Sequence, residues 1–224
     1  MPPGASITAP GAVASVYSLV AANGSYLLHA DGRCIAERAT LDEILDHLES
    51  TLHFHVAVAA RARLFVHAGV VGWNGAAIVL PGRTHAGKSS LVAALVRAGA
   101  AYYSDEYAVL DDEGLVYPFA RALGIRGDTG RTRRVDPRTM GKVGDEPLPV
   151  SRVIVTRHVA GAEWCAEPIS PGETVLALLD NTLAARSRPA VALRILTAVA
   201  RRASGFRGER GDAGAAVEQI LTVS

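Results

Sequence analysis

Residues 82–89, Gly-Arg-Thr-His-Ala-Gly-Lys-Ser, carry two glycines, a lysine and a hydroxyl at the spacing G-x-x-x-x-G-K-[ST]. Each residue type has a physical reason to be there. Glycines let the backbone turn successive N–H groups inward, which makes a cradle for phosphate oxygens. A helix that starts at the lysine adds its positive N-terminal end. The lysine ammonium is a compact point charge suited to the β- and γ-phosphates of a nucleotide, and the serine hydroxyl can ligate Mg²⁺. On this reading Gly82, Arg83, Thr84, His85, Ala86, Gly87, Lys88, Ser89 and Ser90 hold nucleotide. Composition singles out the lysine. The chain has only two, Lys88 and Lys142, against 21 arginines.

A phosphate cradle does not choose a reaction. Phosphoryl transfer also needs a carboxylate for the metal or the acceptor hydroxyl, and positive charge for the γ-phosphate. The next strand carries Ser104-Asp105-Glu106. Side chains alternate along a strand, so an extended backbone aims one of the two acids at the loop. Asp105 is expected to be that acid and to share the metal with Ser89. Glu106 contributes if the chain bends there. His67 lies in the strand that leads to the loop, where both a structural and a catalytic role stay open. Arg121, Arg126, Arg131, Arg133, Arg134 and Arg138 crowd 18 residues. Arg121 and Arg126, near a strand end, are the candidates for stabilising transferred charge. His53 and His55 are two residues apart, off a shared helix face, and are not read as a metal site.

The elements that must position these groups follow from turn and cap signals. Asn23-Gly24 and Asp31-Gly32 favour tight hairpin turns, so 14–22, 25–30 and 33–38 read as an antiparallel meander. Thr40 with Glu43 reads as a capping box before a helix over 41–59, its leucines packed on the meander. Strands at 63–72 and 76–80 flank Trp73-Asn74-Gly75, and the second runs straight into the loop. A helix follows and ends near Gly99. Two strands come next, then a Gly-, Pro- and Arg-rich stretch over 127–149 expected to be a mobile surface loop. A strand over 151–159, a helix opened by Ser170-Pro171-Gly172-Glu173, and helices over 190–203 and 213–221 complete the chain. The domain reading is a frayed 1–11, a small β-α subdomain over 12–60, and an α/β phosphate-loop domain over 61–224.

Bulk properties narrow the partners. A net charge of +1 points to neither nucleic acid nor a membrane surface. No apolar run approaches the ~20 residues that span a bilayer. The first basic residue is Arg33, and an export signal starts with basic residues, so the chain reads as cytoplasmic. Cys34 and Cys165 have no metal-like spacing and read as free thiols.

The order VHAGVVGWNGAAIVLPGRTHAGKSS…AGAAYYSDEYAVLDDEG resembles the HPr kinase/phosphorylase family, which shares a phosphate-loop fold with phosphoenolpyruvate carboxykinase. The hairpin just before the loop is the discriminating detail. The resemblance spans roughly residues 63 to 125. It implies that Lys88 and Ser89 are the loop lysine and magnesium hydroxyl. Asp105 then matches the first of the family's paired aspartates, with Glu106 in place of the second, and His67 matches its histidine, separated by Ala68 from Gly69. The implied activity is ATP- and Mg²⁺-dependent transfer to a hydroxyl, with a serine of a peptide or small protein as acceptor. The large N-terminal domain of the full-length enzymes has no counterpart in the sequence, so the resemblance leaves HPr as substrate, hexamer formation and phosphorylase activity open. Homo-oligomer formation stays open. Two rivals also stay open: a nucleotide-binding regulatory module without an acceptor, and a small-molecule kinase.

Overall fold

A computed structural model describes residues 15–82, 87–126 and 132–223. The expected frayed segment 1–11 lies outside them. The chain divides into two compact units between Ala59 and Ala60.

The first unit is a meander of β1 (Tyr17–Ala22), β2 (Ser25–Ala30) and β3 (Arg33–Arg38), followed by α1 (Leu41–Ala59). Asn23-Gly24 and Asp31-Gly32 all have positive φ, as the tight antiparallel turns require. The capping box is present: Glu43 N donates to Thr40 Oγ1 and Thr40 N donates to Glu43 Oε2, each at 3.3 Å. The helical leucine stripe is only partly buried. Leu28 and Ile44 form the small core, with Leu48 packed against it, while Leu41, Leu45 and Leu52 are exposed. Spacing alone gave the face of the helix but not how much of it the short meander covers.

The second unit is a mixed α/β body. Its strands are β4 (Leu64–Trp73), β5 (Ala76–Pro81), β6 (Ala101–Ser104), β7 (Tyr107–Leu110), β8 (Leu115–Tyr117), β9 (Leu123–Arg126), β10 (Thr132–Val135), β11 (Leu148–His158), β12 (Glu167–Ile169) and β13 (Ser204–Arg210). Its helices are α2 (Lys88–Arg97), α3 (Pro171–Leu179), α4 (Pro189–Ala200) and α5 (Val217–Thr222). The main sheet has the order β12-β13-β11-β5-β4-β7-β8, with β6 also on β4. Strand β8 pairs again with the start of β11, so the path from β11 through β5, β4 and β7 returns on itself. Strand β11 is parallel to both β5 and β13.

Two cores sandwich the sheet, and β5 shows how the sequence divides between them. Ala77 and Val79 face a core built with α3 and α4, through Leu178, Ile195, Leu196 and Val199. Ile78 and Leu80 face a core built with α2 and α5, through Leu91, Leu95, Ile220 and Leu221. A strand covered on both faces reads as a continuous apolar run, which is why AAIVL shows no alternation. Each fully buried Leu or Ile contributes about 1.5–3 kcal/mol relative to exposure.

The C-terminal half differs from expectation in three places. The expected mobile loop over 127–149 is structured from Thr132 onward, while 127–131 lie outside the described residues. Strand β10 pairs with β9, Asp136 caps a short 3₁₀ turn over Pro137–Thr139, and Met140 and Val143 pack on the core. Backbone pairing closes the segment down, since Tyr102 N donates to Lys142 O and Gly144 N to Tyr102 O. Those contacts are long-range and leave no local period to read. Second, Ser-Gly-Phe-Arg-Gly-Glu-Arg at 204–210 is a strand, although its glycines and arginines hide any alternation. Third, the helix expected over 213–221 covers only Val217–Thr222. Asp212 Oδ1 accepts from Gly214 N and Ala215 N, which makes a turn of the residues before it.

Strand β13 is packed without slack. A Cβ on Gly205 would lie 2.1 Å from Thr174 Oγ1 and 2.8 Å from Ile169 Cγ1. Gly205→Ala is therefore expected to destabilise the protein by about 1–3 kcal/mol through overpacking, read from the urea unfolding midpoint.

Candidate functional site

Strands β5 and β13 both run parallel to β11, so their C-terminal ends share one edge of the sheet. The 82–89 loop leaves β5 at that edge. Parallel strands covered by helices offer ligands a crevice at their carboxyl ends. Arg83, Thr84, His85 and Ala86 lie outside the described residues; the two ends of the loop do not. Gly82 N donates to His67 O at 3.2 Å, which ties the loop's start to β4. Gly87 caps α2 with φ 74° and ψ 19°, a left-handed conformation that disfavours any side chain. Ser90 is exposed on the first turn of α2.

Lys88 is buried, and its Nζ donates to Gly82 O at 2.7 Å, across the mouth of the loop. Burial lowers its pKa to about 8, and the negative charge of Asp105 works the other way. Next to it, Ser89 Oγ donates to Asp105 Oδ2 at 2.7 Å. Tyr102 OH lies 3.0 Å from Asp105 Oδ1 and 3.1 Å from Arg121 O. Burial, followed by the Asp105 charge, pushes the Tyr102 phenol far up, so it stays a neutral donor.

The two acids do not sit on a straight strand. Ser104 is fully buried, and its Oγ accepts from Glu106 N at 3.1 Å and Tyr107 N at 2.9 Å. That small turn separates β6 from β7 and sends the two carboxylates to different partners. Asp105 meets Ser89, whereas Glu106 forms an ion pair with Arg121. Glu106 also joins β4 through its carbonyl, which accepts from Ala68 N at 3.0 Å.

His67 is brought to the same place. Its backbone bonds Asn181 O and Gly82 N, and its ring lies 5.8 Å from that of Tyr107. Burial, then the charge of Lys88, holds its pKa down at about 4. The imidazole is therefore neutral near pH 7 and offers one donor and one acceptor. Arg121 borders a cleft of about 210 Å³ whose wall also includes Ala122, Asp136, Arg138 and Val143. Arg126 ends β9, and its side chain lies outside the described residues. The larger depression on α4, about 730 Å³, contains none of these residues.

Sequence reasoning missed Arg210. It ends β13, is 2% exposed, and its Nη2 donates to Gly87 O at 2.9 Å. No motif marks it, and only the strand topology carries it to the loop.

Neither a family model nor a curated protein matches the chain. Among the described residues no three His, Cys, Asp or Glu side chains form a metal cage. Mg²⁺ does not need one, since it keeps several waters and takes one or two protein oxygens plus substrate phosphate. Ser89 Oγ and Asp105 Oδ2 are such a pair of hard donors. Among the described residues no helix is long and apolar enough to cross a membrane.

The His67 environment has a pH signature. Between about pH 4 and 6.5 the unfolded chain binds a proton at His67 that the folded chain does not, so stability rises with pH there. The unfolding midpoint in urea is expected to fall as pH drops from 6.5 toward 4. His67→Gln is expected to flatten that part of the profile; an unchanged profile would contradict the assignment.

Proposed function

We propose that the protein is an ATP- and Mg²⁺-dependent kinase of the HPr kinase/phosphorylase-like phosphate-loop type, with a serine of a peptide or small protein as acceptor. The observation that carries this reading is the meeting of Lys88, Ser89 and Asp105 at one end of the sheet, with Ser89 and Asp105 2.7 Å apart. The loop spacing supplies the phosphate cradle. The acid supplies what a phosphate cradle alone lacks.

The roles divide by position. Gly82 through Ser90 surround the nucleotide phosphates, with Lys88 moving from Gly82 O to a phosphate oxygen. Ser89 and Asp105 would hold Mg²⁺, which when bound neutralises charge on the β- and γ-phosphates. Asp105 would also take the proton of the acceptor hydroxyl. The acceptor oxygen then bonds to the γ-phosphorus, the bond from that phosphorus to the β–γ bridging oxygen breaks, and ADP leaves with the electron pair. Glu106 holds Arg121 beside the acids, where a guanidinium can meet developing negative charge. His67 holds the start of the loop through its backbone carbonyl, which accepts from Gly82 N, and its imidazole is neutral near pH 7.

Transfer from γ-labelled ATP onto a serine-containing peptide library tests this. Lys88→Ala is expected to abolish both nucleotide binding and transfer. Asp105→Asn is expected to keep ATP binding within a few-fold and to lose at least ~100-fold in transfer, the range for removal of a general base. Full transfer by Asp105→Asn would remove the assigned chemistry. A wild-type protein that binds ATP and labels no acceptor would favour the regulatory module.

A further inference from the structure

The two glycines that bound the loop each have their carbonyl held by a buried cation. Gly82 O accepts from Lys88 Nζ at 2.7 Å, and Gly87 O accepts from Arg210 Nη2 at 2.9 Å. The first cation belongs to the motif. The second comes from the last strand of the sheet, 123 residues further along the chain.

Arg210 is built into this position. Its other terminal nitrogen, Nη1, donates to Gly211 O at 3.3 Å, so the planar fork reaches two carbonyls at once. Contact with Gly87 is close enough that a Cβ there would stand 2.7 Å from Nη2. Gly87 O also accepts the first helical bond of α2, from Leu91 N at 3.2 Å. One carbonyl therefore fixes both the last turn of the loop and the first turn of the helix. The backbone N–H groups of Lys88, Ser89 and Ser90 point outward from that joint, as the first N–H groups of any helix do. On the kinase reading these are N–H groups that would meet phosphate.

We propose that Arg210 is a positioning residue for nucleotide: it fixes the Gly87 carbonyl and so aims the N–H groups at the start of α2. It acts through Gly87 and need not touch the ligand. The kinetic part of this inference rests on the kinase reading; the loop part does not.

Two measurements on the full-length protein separate them. In the ligand-free protein, amide hydrogen exchange at Leu91 and its neighbours in α2 is compared between wild type and Arg210→Met, which removes the fork while filling much of the space. Exchange there is expected to rise about tenfold, the factor carried by one charge-assisted hydrogen bond, with β4, β5 and β11 unchanged. In the transfer assay, the KM for ATP is expected to rise about tenfold with kcat within about threefold, since ground-state and transition-state binding are lost together. If Arg210→Met does not fold, Arg210→Lys decides. A single ammonium cannot span both carbonyls, so both effects are expected at a smaller factor. Unchanged exchange at Leu91, exchange rising equally through the whole sheet, or a fall in kcat at constant KM would each overturn the proposal. A wild-type protein that transfers no phosphate would sink the kinase reading alone and leave Arg210 to the exchange result.

Discussion

Strand β11 is hydrogen-bonded to β5 along one edge and to β13 along the other, and both pairings are parallel. Parallel pairing fixes which ends of strands meet. The loop leaving β5 and the arginine ending β13 are placed at the same edge by this geometry, although the two strands are not hydrogen-bonded to each other. The covering helices follow from the same constraint. A parallel strand needs a crossover, and the crossovers here deposit α2 on one face and α3 and α4 on the other. The loop, its lysine and its buried arginine all depend on that central strand.

Much of this was legible in the sequence where the signal is local. Asn74-Gly75 marks the hairpin before the loop, and both residues have the positive φ that the dipeptide advertises. Ser170 and Glu173 mark the start of α3, and both reciprocal bonds of the capping box are made. The loop residues are a spacing, so they are readable by eye. The less legible parts are those held by distant partners. Segment 132–149 is tied down by backbone bonds of Lys142 and Gly144 with Tyr102, about 40 residues earlier in the chain. Strand β13 has a sequence that no strand pattern would select, and it is kept in the sheet by β11 and β12.

The site itself was half legible. Asp105 was the expected acid because it follows the apolar lead-in at a strand end, and it does meet Ser89, but through a turn and not through strand alternation. Its separation from Glu106 depends on the Ser104 hydroxyl, which replaces a strand bond with a turn. A serine before two acids carries no such message when read alone. The ion pair of Glu106 with Arg121 likewise joins residues that only the path of β7, β8 and the following segment brings together.

The Gly87–Arg210 bond has a further consequence for how the molecule is made. A chain emerges from its N-terminus, and its loop, helix α2 and acids are all synthesised long before residue 210. The joint between loop and helix is thus among the early parts to be made and among the last to be fastened. Contacts of such long sequence separation are slow to form, because loop-closure entropy is spent before they stabilise anything. Completion of the joint between loop and helix is therefore tied to docking of the last strand, and a chain cut short before β13 would carry every residue of the loop without its anchor.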